Sequence, residues 1–287
     1  MPDSTALPAP RPMLLDKVRE ACRLRHFSPR TEKAYAGWIR RFIRFHRRRH
    51  PREMGAPEVE AFLSSLARDR AVSASTQNQA LSALLFLYNA VLGVGISAVD
   101  GVVHAKRPVR VPVVLSRTEV ARLLGRLDGA CWLVASLMYG SGLRLLECAQ
   151  LRVKDLDLER LELTVRDGKG RKDRVTVLPL ALQAPLSAHL ALARRQHQED
   201  LAAGCGSVAL PDALRSKYPR ACVEWGWQWV FPATRHYDDR ATGERRRHHL
   251  HESVVQKAIK QAVRAAGIVK PASAHTLRSD ASAGSWE

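Results

Sequence analysis

The sequence predicts a mainly helical fold with small β-hairpins, an α+β chain in two domains. Three observations lead there. Apolar residues recur at three-four spacing through much of the chain, as they do on helices with one buried face. Two β-rich runs flank a glycine-containing turn in "LELTVRDGKGRKDRVTVLPL", the pattern of a hairpin. Between the helical stretches, "GVVHAKRPVRVPVVL" loses that periodicity and carries Pro108 and Pro112 among basic residues. It reads as an extended linker over 99–115, between a helical domain over 13–98 and a mixed domain over 116–287.

The elements follow in order. Residues 1–12 are proline-rich and read as a flexible lead-in. An opening helix is expected around Leu14 to Cys22. In "SPRTEKAYAGWIRRFIRFHRRRH", Tyr35, Trp38, Ile39, Phe42 and Ile43 make a buried stripe, while Arg40, Arg41 and Arg44 lie largely off it. A third helix follows Pro57 with Val59, Phe62, Leu63 and Leu66 on one face, and a fourth runs from about Thr76 to Leu92. The second domain opens at Ser116, whose spacing to Glu119 is that of a capping box. Helices continue to the Gly140-Ser141-Gly142 break, then the hairpin, then a long polar helix from Leu182 to Leu201. "WGWQWVFP" alternates with period two, which puts Trp225, Trp227 and Trp229 on one side of a strand. The last amphipathic helix is "HESVVQKAIKQAVRAAG", with Val255, Ile259, Ala262 and Val263 inward.

Charge narrows the class of partner. The 46 Lys+Arg against 28 Asp+Glu leave a formal charge of +18, which favours a polyanion because each neutralised phosphate releases counterions. Apolar runs such as "ALSALLFLYNAVLGVGI" are interrupted by Ser, Asn and Gly, so no membrane span is expected. The start lacks a basic region followed by an apolar core, so no secretory signal is read. The five cysteines are odd in number and scattered without metal-ligand pairing, consistent with reduced thiols in a cytoplasmic protein.

Four groups carry chemistry together: Arg144 in "GSGLRLLE", Lys169 in "DGKGRKD", and His275 and Arg278 in "HTLR". Singly, each has an ordinary alternative: a helix charge near Glu147, a solvated turn lysine, a helix cap. As a set they are more informative. Guanidinium forks grip non-bridging phosphate oxygens and stabilise a pentavalent transition state. A lysine on a hairpin can protonate a leaving oxygen, and histidine exchanges protons near neutral pH. Such a set suits phosphodiester transesterification with no metal and no other cofactor.

The motifs "SGLRLLE", "DGKGRKDRVTVLP" and "HTLR", in this order, resemble those of the tyrosine recombinases, or phage-type integrases, over about Leu14 to Arg278. "SVALPDALRSKYPRACVEWGWQWVFPA" and "RRRHHLHESVVQKAIK" further resemble the insertion, here about 203–250, of the integron integrases. The resemblance implies a SAM-like core-binding domain and a catalytic domain that together clamp DNA, and a homo-oligomer on that DNA. It implies that Arg144 and Arg278 grip the phosphate, Lys169 protonates the leaving 5′-oxygen, His275 acts in acid–base chemistry and Glu147 supports Arg144.

Integron integrases act on duplex sites and on folded single-stranded sites, recognised by shape and extrahelical bases. That points to Trp225, Arg245, Arg246, Arg247, His248 and His249 as DNA-contacting residues of the insertion, beside Arg40, Arg41 and Arg44 of the first domain. Core packing is the rival reading for the tryptophans. A zinc site from His248, His249 and His251 is the poorer one, since adjacent strand residues diverge. After Arg278 the family pattern continues to a tyrosine nucleophile, whereas Ser279 to Glu287 reads "SDASAGSWE". None of Tyr35, Tyr88, Tyr139, Tyr218 and Tyr237 stands in the nucleophile's place, so the catalytic domain reads as incomplete at its C-terminus. Strand cleavage and tetramer assembly by these residues alone are therefore not expected.

Overall fold

The computed structural model describes residues 13–68, 72–94, 113–166, 172–240 and 242–279. The lead-in over 1–12, most of the linker and Lys169 lie outside them. The chain divides into two compact units, 1–110 and 111–287.

The first unit is built from α1 (Leu14–Leu24), α2 (Pro29–Phe45), α3 (Ala56–Arg68) and α4 (Ala74–Phe86). Ser28 and Ser73 start α2 and α4, their hydroxyls accepting the backbone N–H of Thr31 and Thr76. The expected stripes are the core: Ile39 and Phe42 of α2, Val59 and Phe62 of α3, and Leu84 of α4 are all nearly solvent-free. Phe42 packs edge-on against Phe62 at 5.6 Å and faces Tyr88 at 6.4 Å. The single helix expected to Leu92 instead changes at Leu87 into a widened π-helical segment, Leu87–Leu92, ending at left-handed Gly93. There Leu87 and Tyr88 are both buried, and the Tyr88 hydroxyl donates to the Met54 carbonyl at 3.0 Å.

The second unit opens with α5 (Arg117–Leu124), whose Ser116–Glu119 capping box is complete, and α6 (Gly129–Gly140). Gly142 then turns the chain with φ 67°, a conformation open to glycine, and α7 (Leu145–Ala149) follows. Next comes an antiparallel sheet, β1 (Leu156–Asp157), β2 (Glu162–Val165) and β3 (Arg174–Val177), in the order β1-β2-β3. β2 and β3 are the expected hairpin, with Val165 opposite Arg174 nearest the turn. On β3 the valines point outward, Val175 at 61% and Val177 at 68% exposure. Arg174 and Thr176 occupy the inner face.

The long helix α8 (Gln183–Ala202) leads to α9 (Asp212–Lys217) and then to a further departure from expectation. Trp225–Trp227 is a 3₁₀ turn rather than a strand, and Trp229 makes only an isolated bridge to Arg152. The cause is Gln228, whose buried side-chain amide donates to the Cys222 and Glu224 carbonyls and holds the chain folded back on itself. A two-stranded ribbon follows, β4 (Pro232–Asp238) and β5 (Arg245–His249), with an irregular ladder between Pro232 and His236. α10 (Glu252–Ala265) and α11 (Ala274–Ser279) both pack on α6. Phe231, Leu137, Leu143, Leu163, Leu186, Val255, Ile259 and Leu277 share one core.

Candidate functional site

Arg144 stands at the N-cap of α7, delivered there by the Gly142 turn. Three residues on, Glu147 returns its carboxylate: one oxygen accepts the Arg144 backbone N–H at 2.8 Å and the other accepts Arg144 Nη1 at 2.6 Å. A second guanidinium completes the arrangement. Arg174, first residue of β3, donates Nη2 and Nη1 to the two Glu147 oxygens at 2.7 and 3.2 Å. Burial alone would raise the Glu147 carboxyl, but these hydrogen bonds from Arg174 and Arg144 outweigh it and hold the carboxyl near 2. Glu147 is therefore a fixed anion with its side chain only 9% exposed, while Arg144 keeps 30% of its side chain in solvent. One edge of Arg144 is oriented and the rest is presented outward.

α11 displays the other two groups. Ala274, Thr276 and Leu277 face the core, whereas His275 is exposed and Arg278 half-buried, three residues apart on one face. Thr276 Oγ1 accepts the Ser273 backbone N–H at 3.0 Å and fixes the start of this short helix. Because α7 follows α6 and α11 packs on α6, one framework carries Arg144, His275 and Arg278. Lys169 lies outside the described residues, between β2 and β3 in sequence.

Of the residues expected to touch DNA, Arg40, Arg41 and Arg44 are exposed along α2, with Arg41 lying over the Trp38 ring at 4.6 Å. The β5 residues divide. Arg245 is exposed, but Arg246 and Arg247 are turned inward, which corrects their expected role as surface cations. Arg246 pairs with Asp239 and Glu244 near the β4–β5 turn. Arg247 forms a two-point pair with Asp200 of α8 at 2.6 and 2.7 Å and also donates to the Ala233 carbonyl. Asp239, Glu244 and Asp200 neutralise these two arginines, which therefore serve as internal ties.

His249 is likewise buried. Its Nδ1 donates to the Leu250 carbonyl at 2.8 Å, and burial lowers its pKa, favouring the neutral ring. His248 is exposed and stacks at 18° on Trp229, 6.1 Å away. His251 caps α10 through Ser253, so the three histidines have separate tasks. Trp225 is half-buried, its ring facing His197 at 5.9 Å.

Two residues were not legible beforehand. Arg174 sits in a basic run, where nothing local marks its partner 27 residues away. Arg152 ties the segment 203–250 to the rest of the unit. Its guanidinium lies 3.9 Å over the Trp229 ring and donates to the Trp227 and Ala209 carbonyls at 2.5 and 2.8 Å. Burial lowers its pKa to about 10. The neighbouring Lys154 Nζ lies 2.9 Å above the centre of the Trp227 ring.

Comparison with known proteins agrees with this architecture. Residues 14–97 match the family described as "Phage integrase, N-terminal SAM-like domain", and residues 114–284 match "Phage integrase family". An "Integrase/recombinase" of Escherichia coli and one of Pseudomonas aeruginosa are each 50% identical over 265 residues, covering 92% of this chain and 79% of theirs. Among solved structures, a lambda integrase tetramer bound to a Holliday junction superposes with a TM-score of 0.62 at 16% identity, over 93% of this chain and 68% of that one. At that identity the likeness speaks for fold alone. With both of its units matched in chain order and relatives at half identity over most of its length, this chain belongs to the phage integrase family.

Proposed function

We propose that this chain is a site-specific DNA recombinase of the integron integrase type, acting on double-stranded attachment sites and on folded single-stranded cassette sites. The observation that carries the reading is Arg144, locked along one edge by Glu147 and open along the other, on the framework that also presents His275 and Arg278. Two arginines then neutralise the scissile phosphate, His275 exchanges protons, and Lys169 protonates the departing 5′-oxygen. Arg40, Arg41, Arg44 and Arg245 contact the DNA backbone, while His248 on its Trp229 platform and the half-buried Trp225 meet unstacked bases. The protein works in the cytoplasm and assembles on DNA as a homo-oligomer. Its chemistry needs no metal or other cofactor.

None of the five tyrosines is assigned as nucleophile. Tyr88 is buried with its hydroxyl on Met54, Tyr139 is buried in the core of the second unit, and Tyr218 and Tyr237 belong to the insertion. The second reading is a DNA-binding protein that occupies recombination sites without cutting them. A nicked duplex carrying an attachment site, and the corresponding folded single strand, test both. We expect retarded complexes on native gels and, from these 287 residues alone, no covalent adduct on denaturing gels. With a family-type C-terminal segment following Arg278, an adduct should appear and Arg144→Ala should abolish it with little loss of binding. An adduct on any of the five tyrosines would overturn the assignment, and an absent gel shift would overturn both readings.

A further inference from the structure

Strands β2 and β3 are tied to the rest of the unit through Arg166, which follows β2, and Arg174, which opens β3. Arg166 Nε donates to Asp155, a carboxylate only 5% exposed, at 2.8 Å. Arg174 grips Glu147, the same carboxylate that orients Arg144. β3 makes one more contact with that segment, from Thr176 Oγ1 to the Ser141 carbonyl at 3.1 Å. Inward-facing Arg174 and Thr176 thus bind the hairpin to the 141–147 stretch, while Val175 and Val177 face solvent. Glu147 therefore joins two pieces of chain: the helix start that presents Arg144, and strand β3.

We propose that Arg174 is a positioning residue that acts through Glu147 to hold Arg144 in phosphate-gripping geometry. The proposal rests on the assignment of Arg144 to the scissile phosphate. Without Arg174, two of the four hydrogen bonds to the Glu147 carboxylate disappear. The remaining carboxylate can rotate about its side-chain torsions, and Arg144 loses its fixed edge. Arg174 itself need touch no DNA for this effect.

The test compares binding of two nicked attachment-site duplexes, one with a normal scissile phosphate and one with a neutral methylphosphonate at that position. The affinity ratio isolates the charge contact, and binding to the methylphosphonate duplex reports that the protein is folded. A charge-assisted contact should give wild type a ratio on the order of tenfold. Arg144→Ala should lower it to the share that Arg278 still supplies, Arg174→Ala should lower it to a similar level, and the double variant should lose no more than either alone. Arg174→Lys keeps the charge without the two-point grip and should fall between. Should Arg174→Ala prove unfolded, Arg174→Lys decides the matter.

A wild-type ratio for either Arg174 variant, or strictly multiplicative losses in the double variant, would overturn the proposal. If instead Arg144→Ala leaves the ratio unchanged, the assignment of Arg144 to the scissile phosphate fails first. The two failures are thus distinguishable.

Discussion

Glu147 shows how one buried carboxylate can hold two guanidinium groups in place at once. Its carboxyl is held near 2, below the usual carboxylate range, because its bonds to Arg174 and Arg144 outweigh burial. A depressed folded value stabilises the protein above the unfolded value, about 4.3 for glutamate, and that contribution is lost as pH falls from there toward 2. Glu147→Gln should therefore flatten the decline of the urea midpoint between pH 5 and pH 2. At neutral pH the same change should destabilise by about 1–3 kcal/mol, since the surrounding arginines remain partly solvated. An unchanged acid limb would show that the carboxylate is not held this way. Asp200 is the second such case. Arg247→Ala removes the two-point pair from the buried Asp200 carboxylate, leaving it His236, and should destabilise the second unit by about 3 kcal/mol, read from its thermal or urea transition.

Among elements, α11 is a short helix held to the core by few residues. Leu277 is its fully buried contact with the core around α6. Leu277→Ala should cost about 2–5 kcal/mol of stability in the second unit, measured by urea denaturation, and should loosen His275 and Arg278 together. α2 and α10 were readable in advance because their apolar residues recur at helical spacing over several turns, and Ser116 is a sharp start signal for α5. Strand β3 was readable as a strand but not in its facing. Its two valines look like the inward pair, yet the buried Glu147 beneath the other face draws Arg174 inward instead. The Trp225–Trp227 turn misled by its period-two tryptophans, because the glutamine between two of them spends its amide on nearby carbonyls. Arg246 and Arg247 looked like surface charge because Asp200, the partner that buries Arg247, lies 47 residues earlier in the chain.

For the whole molecule, the excess of +18 dominates any encounter with DNA. Binding should weaken steeply as salt rises, on duplex and hairpin alike. Replacing Arg40, Arg41 and Arg44 together by Ala should reduce the slope of log affinity against log salt by roughly 2–3, at about 0.9 per lost phosphate contact. A salt-independent affinity would mean that this charge is not directed at nucleic acid. Arg246→Ala should change the slope far less than Arg245→Ala, because Arg246 is already neutralised by Asp239 and Glu244.

Arg152 has a bearing on descent. It lies between α7 and β1, yet its aromatic cover and both carbonyl partners come from the 203–250 stretch. A lineage that lost that stretch would retain a half-buried cation whose stacking and hydrogen bonds had gone, and one that gained it would need an arginine to receive it. The residue at this position and the presence of the segment should therefore be inherited as a pair. Homologues without the segment should carry a small or apolar side chain where this protein has Arg152.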